Sequence, residues 1–408
     1  VKTSSPFTAV AGEGYFVNTT ASAITVNLPA GTAGAVVAIK DYAGTFDTNK
    51  VTLVQNGSDK IGGSTDNATL SIEGIAVTLV FIDSTQGWLV TDSGLQDEAP
   101  TAQFITATGG SEVIVGDFKT HIFTGPGTFA VSGISPTPAC NAVNYIVIGG
   151  GATGGTGRGG GGGAGGFRMF SSAPGSNSPL NASAGLPVSV QNYTIQVGGG
   201  GAAIPFNGSK LVGNPGVNSS FSTIVSAGGG GGGSGPAAPL PGARAGGSGG
   251  GGSFNVPGDS GGAGNTPPVS PPQGNNGSLS CSAAPSSPPD RHGGGGGGAG
   301  GAGGPGAPET GGIGSYLAVP FVGPTAPSYG TAGPVSSTRF FSGGGGGGFE
   351  SSGGGAGGAG GGATGTNTSS STAATINTGG GGGAIGEQPG TAAGGGGSGI
   401  IMIRYKFQ

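Results

Sequence analysis

Gly228-Gly229-Gly230-Gly231-Gly232-Gly233 is an unbroken run of six glycines, with echoes at 159–163, 293–298, 343–348 and 379–383. Such a run has no side chain to bury and only backbone groups with which to bond. It also loses the most conformational entropy on ordering. By itself it reads as a tether. Its setting argues otherwise, because each long run is approached or left by a short strand-like piece: 144–148, 193–197, 221–227, 339–342, 373–378 and 400–407. Flexible linkers alternate glycine with serine rather than with phenylalanine and isoleucine. The runs therefore read as elements of a fold.

Polyglycine can adopt the extended left-handed helix with three residues per turn, rising ~3.1 Å per residue and lacking internal hydrogen bonds. In a compact body its bare N–H and C=O groups need partners, and only neighbouring backbones can supply them. Without a Cβ, several such chains can lie close enough to bond sideways. Collagen is excluded, because no strict Gly-X-Y period runs through the sequence. The expected fold is an all-β N-terminal module followed by packed polyglycine II helices framed by short β-strands, with almost no α-helix.

The whole chain has 408 residues, of which 103 are Gly, 29 Pro and only 7% charged. That composition would ordinarily signal low complexity. Disorder, however, usually comes with high net charge and few β-branched or aromatic residues. Here the net charge is −4, with 18 Phe and 7 Tyr. Residues 1–100 hold ten acidic residues and four Lys, a net −6, which leaves +2 for the remainder. Runs rich in Val, Ile, Thr and aromatics at 15–18, 24–28, 35–40, 51–55, 68–73, 77–82 and 88–91 alternate with turn residues, and no window shows a helical period. The expected division is a β module over 1–96, a connecting β segment over 97–140 and a glycine-rich domain over 141–408. The closing stretch Ile400-Ile401-Met402-Ile403-Arg404-Tyr405-Lys406-Phe407 should be covered on both faces in its first half and pair with 142–148.

Two resemblances follow from particular residues. Gly14-Tyr15-Phe16-Val17-Asn18-Thr19, Ile24-Thr25-Val26-Asn27-Leu28-Pro29, Asp41-Tyr42-Ala43-Gly44-Thr45-Phe46 and Ser84-Thr85-Gln86-Gly87-Trp88 resemble a β module of tail-fibre proteins from marine bacteriophages, cyanophages among them. Tyr145-Ile146-Val147-Ile148-Gly149-Gly150-Gly151, Gly165-Gly166-Phe167-Arg168, the repeated runs and Gly399-Ile400-Ile401-Met402-Ile403-Arg404-Tyr405 are similar to glycine-rich regions of phage fibres and distal adhesins. The resemblance implies stacked polyglycine helices with variable loops at the tip. It also implies a virion location at the fibre tip, assembly in the host cytoplasm, and attachment to other tail or fibre proteins through residues 1–140.

Chemistry is thinly represented. His121 and His292, and Cys140 and Cys281, have no zinc-like spacing. The two cysteines are expected either to form one disulfide or, in keeping with a reducing cytoplasm, to remain buried thiols. A glycosidase needs two carboxylates about 5–10 Å apart. After residue 150 only Asp259, Asp290, Glu309, Glu350 and Glu387 remain, none in a paired motif. Gly-x-Gly-x-x-Gly is uninformative at this glycine content, and no Gly-Lys-Ser/Thr follows a run. No basic stripe marks nucleic-acid binding. The expectation is a non-enzymatic protein with no cofactor, no metal and no nucleic-acid partner.

Binding by aromatics is the live hypothesis. Phe206, Phe254, Tyr316, Phe321 and Tyr329 sit in segments between runs, where an exposed ring offers apolar area to a sugar or a protein loop. With Arg291, in the turn Asp290-Arg291-His292 read as solvated, they form the expected receptor-binding set. Phe167, Phe221 and Phe341 touch the runs and are expected as core pegs. The chain opens on Val-Lys-Thr with no secretory signal or apolar span, which fits delivery on a particle. Threefold wrapping of chains would cover exposed strand edges, so a homotrimer is expected. The expected function is a tail-fibre adhesin for a host surface receptor. A purely structural tail or capsid component is the alternative, and an ice-binding bundle fits less well because the proline-rich segments break any regular face.

Overall fold

The structure, a computed structural model, describes residues 1–94, 104–135, 138–173, 178–235, 242–254, 260–280, 291–304, 309–350, 353–389 and 391–408. The chain divides into two compact units, Val1–Ala102 and Gln103–Gln408. Among the described residues it is nearly all β, with three short 3-10 turns and no α-helix.

The N-terminal unit contains two four-stranded sheets. One runs Phe7–Thr8, Ile24–Asn27, Val51–Val54, Ala68–Leu70; the other runs Glu13–Val17, Val36–Asp41, Ala76–Asp83, Gly87–Gly94. Alternation supplies the core. In Val36–Asp41 the inward residues are Val37, Ile39 and Asp41, and Val37 and Ile39 share a buried cluster with Val17, Val26, Leu53, Leu79 and the single Trp88. Asp41 is the polar member. Its Oδ1 accepts N–H bonds from Ala43, Gly44 and Thr45, and its Oδ2 accepts those of Phe46 and Gly74, all at 3.0–3.2 Å.

The second unit is built on the strand Ile400–Lys406. It lies between Phe118–Phe123 and Ala142–Ile148, antiparallel to both, in a sheet extended by Ser111–Val115, Phe167–Phe170 and Leu186–Pro187. The pairing of the last strand with 142–148 is as its sequence suggests. Six of its seven residues are buried, because its two faces serve two cores. Ile401, Ile403 and Tyr405 pack with Phe129, Tyr193 and Phe221 of a second sheet, ordered Ile224–Ser226, Ser219–Phe221, Gln191–Gln196, Gly127–Gly133, Thr106–Thr108. Ile400 and Met402 pack with Phe167, Leu317, Phe321 and Phe341. Of the segment 97–140, the residues from 103 on fall in the second unit. Its strands Thr106–Thr108 through Gly127–Gly133 are integral to the second unit, since their apolar faces close both sides of the central strand.

The glycine runs bond sideways with a three-residue step. Gly229 and Gly232 donate to the carbonyls of Gly150 and Thr153, while Gly230 and Gly233 donate to those of Ser248 and Gly251. In return Gly229 and Gly232 accept from Gly216 and Gly213, and Gly230 and Gly233 accept from Gly163 and Gly160, all at 2.9–3.1 Å. A step of three is the period of the extended left-handed helix. The close approach requires glycine: a Cβ on Gly232 would lie 1.9 Å from the Gly160 carbonyl oxygen. With no side chains between them, the runs form a body whose interior is backbone hydrogen bonds rather than apolar packing.

Candidate functional site

Several runs start or end on the sheets. Gly149 follows Ile148, Gly166 precedes Phe167, Gly228 follows Ala227, Gly343 follows Ser342, and Gly399 precedes Ile400. At their other ends the backbone turns back, and several of these turns are bonded to one another. Arg158 N–H donates to Ile385, Phe254 N–H to Arg158, Glu350 N–H to Arg291 and Gly293 N–H to Gly348. This assembly of turns is the candidate site.

It gathers much of the unit's scarce charge. Arg158 Nη2 donates to Glu350 Oε1 at 2.9 Å and to Glu387 Oε2 at 2.5 Å; Lys210 Nζ reaches Glu387 Oε1 at 2.6 Å, and Arg291 Nη1 reaches Glu350 Oε2 at 3.5 Å. The Phe254 ring lies under both guanidinium groups, 5.3 Å from that of Arg158 and 5.9 Å from that of Arg291. Burial works to raise the Glu387 carboxyl, but the Lys210 hydrogen bond and the charges of Arg158 and Lys210 outweigh it and hold it below the usual range. Arg158 itself sits at φ +60°, a left-handed conformation that costs a non-glycine residue roughly 1 kcal/mol and that the surrounding bonds maintain.

Beside this network His292 stacks on Phe349, centroids 5.3 Å apart and planes 2° from parallel, with Nδ1 3.5 Å from Glu309 Oε1. Burial pushes the Glu309 carboxyl up to about 7, against the lowering effect of hydrogen bonds from Ser278 and the Gly295 backbone. His292 is 5% exposed, so the solvated turn expected for Arg291 and His292 is instead packed; Asp290 lies outside the described residues.

Three of the rings expected at the surface are interior. Phe206 is 4% exposed and packs with Ile385 and Ala393, Phe254 is 3% exposed under its two arginines, and Phe321 is fully buried against the central sheet. Tyr316 and Tyr329 are half-buried; Tyr316 lies 5.3 Å from the Phe340 ring, and Tyr329 borders the core that holds Phe321. Glycine supplies no apolar surface, so rings carried by the intervening segments are drawn inward to fill the cores. Phe167, Phe221 and Phe341 are buried as expected. Of the expected set, only Phe254 and Arg291 belong to the turn assembly. Cys140 is an exposed free thiol rather than a buried one, and Cys281 lies outside the described residues.

Arg158, Lys210, Glu350 and Glu387 were not among the expected site residues. Arg158 directly precedes the run 159–163, and Glu350 and Glu387 stand two and four residues after the runs 343–348 and 379–383; in a chain with few charges, that closeness to the runs was the available signal.

No curated protein matches the chain. Residues 2–95 match the family described as Bacteriophage T4 gp9/10-like protein, N-terminal. Taken with the second match, this supports a phage protein of tail or fibre type, associated with other virion components. That second match, to the family described as Glycine-rich domain, spans residues 123–406 and takes in the runs, the paired strands Ala142–Ile148 and Ile400–Lys406 and the turn assembly: the chain belongs to that glycine-rich domain family.

Proposed function

We propose that this protein is a non-enzymatic tail-fibre adhesin whose glycine runs are polyglycine II helices and whose turn assembly contacts a host surface receptor, a glycan or an outer-membrane protein loop. The N-terminal unit attaches it to the virion or fibre shaft, and three chains assemble together. One observation carries the reading: turns from separate runs meet at the ends away from the sheets and concentrate charge there. Loops held on a rigid scaffold are where recognition usually resides. A rigid backbone lattice would hold these turns without side chains of its own, leaving the turn sequences free to vary.

The site chemistry favours binding over hydrolysis. Glu350 and Glu387 share Arg158 through ion pairs, and the Glu387 carboxyl is held below its usual range, whereas a glycosidase's general acid needs a raised one. Affinity would come from weak contacts multiplied over copies on the particle. The purified full-length protein, added to host cells before phage, is expected to reduce adsorption in a dose-dependent way. Absence of competition by a folded protein that binds tail components would favour a purely structural role.

A further inference from the structure

We propose that a cleft flanking the turn assembly binds an anionic sugar unit, one bearing a carboxylate or a phosphate. This rests on the adhesin reading and names its ligand class. The cleft has a volume of about 520 Å³, and its lining includes Ile204, Pro205 and Leu211 on the apolar side and Lys210, Asn214 and Arg244 on the polar side. That size is within the range of small-molecule sites, roughly 300–1,000 Å³.

Both cations are positioned by the glycine lattice. Arg244 donates its backbone N–H to Gly231 and accepts at its carbonyl from Gly250, so its Cα is fixed between two runs while its side chain is exposed. Among the described residues Arg244 forms no ion pair. The Lys210 stem lies over the turn at Gly157, where φ is +69° and an added Cβ would come within 2.9 Å of Lys210 Cγ. Its ammonium bonds Glu387, but that carboxylate is already shared with Arg158. Among the described residues that line the cleft, Lys210 and Arg244 are the cations and none is a carboxylate.

An anion can therefore be received without displacing an existing pair, with the fork of Arg244 as its most direct partner. The aliphatic wall suits the C–H face of a sugar ring. Among the described residues no aromatic ring lines the cleft, and a nucleobase would need such a face for stacking.

The test is calorimetric titration of the full-length protein with a galacturonic acid disaccharide, glucose 1-phosphate and neutral maltose, comparing wild type with Arg244→Gln and with Lys60→Gln in the other unit. The expected result is binding of at least one anionic probe and not of maltose. Affinity should fall about tenfold in Arg244→Gln, the weight of one charge-assisted hydrogen bond, and stay unchanged in Lys60→Gln. Uronate binding alone identifies the carboxylate source, and phosphate binding alone identifies the other. Failure of both anions at millimolar concentration, equal binding of maltose, or indifference to Arg244→Gln would overturn the proposal. If adsorption competition by the same protein persists in that case, the adhesin reading stands and only the ligand assignment fails.

Discussion

At the scale of single residues, Asp41 shows how one buried charge organises a loop. It is 3% exposed, yet five backbone N–H groups from 43–46 and 74 converge on its carboxylate. Burial pushes this carboxyl up, but the N–H groups of Gly74, Phe46, Thr45 and Ala43 outweigh it and hold it below the ordinary aspartate value. Because the folded value is depressed, the stability it contributes is present above the unfolded value of about 3.9 and disappears as pH falls through the folded one. In Asp41→Asn, an amide N–H₂ replaces one acceptor oxygen and confronts two of those donors. Urea unfolding followed by Trp88 fluorescence, which reports this unit alone, should show a loss of about 2–3 kcal/mol at pH 7. The difference between the proteins should shrink as pH is lowered below the unfolded value.

At the scale of elements, the glycine runs invert the usual relation between side chain and core. Their positions are set by which amide meets which carbonyl, so adding one methyl group is a stringent probe. A Cβ at Gly232 would lie 1.9 Å from a carbonyl oxygen of a backbone that is itself bonded on other sides. Gly232→Ala should cost about 3 kcal/mol or more, read as a lowered thermal midpoint or as insoluble protein. Gly199→Ala lies within another run, yet its Cβ meets nothing within 4 Å and its φ is not left-handed. It should leave the midpoint unchanged or raise it slightly through reduced entropy of the unfolded chain. Equal effects of the two substitutions would mean that the lateral bonds do not hold the unit together.

At the scale of the whole molecule, the two units have different physical bases. The N-terminal unit buries alternating apolar side chains; the second combines two apolar cores with a backbone lattice. Threefold assembly belongs to this scale. Static light scattering of the full-length protein should give three times the mass of one chain, and a single-chain mass would remove the trimer from the proposed function.

Much of this was legible in the sequence because it depends on local pattern. The alternation of Val, Ile and aromatics gave the strands of residues 1–94, and the apolar start of Ile400–Lys406 marked a strand covered on both faces. The runs themselves announced close backbone packing, since only glycine permits it. Placement of side chains was another matter. Phe206 and Phe321 look like surface loops in sequence and are core in the fold, because burial depends on what arrives from elsewhere in the chain. Arg158, Glu350 and Glu387 stand far apart in sequence, and no spacing rule links them. The sequence by itself determined which backbones could approach one another; only the tertiary structure decided which turns would meet, because that depends on the register in which the runs bond.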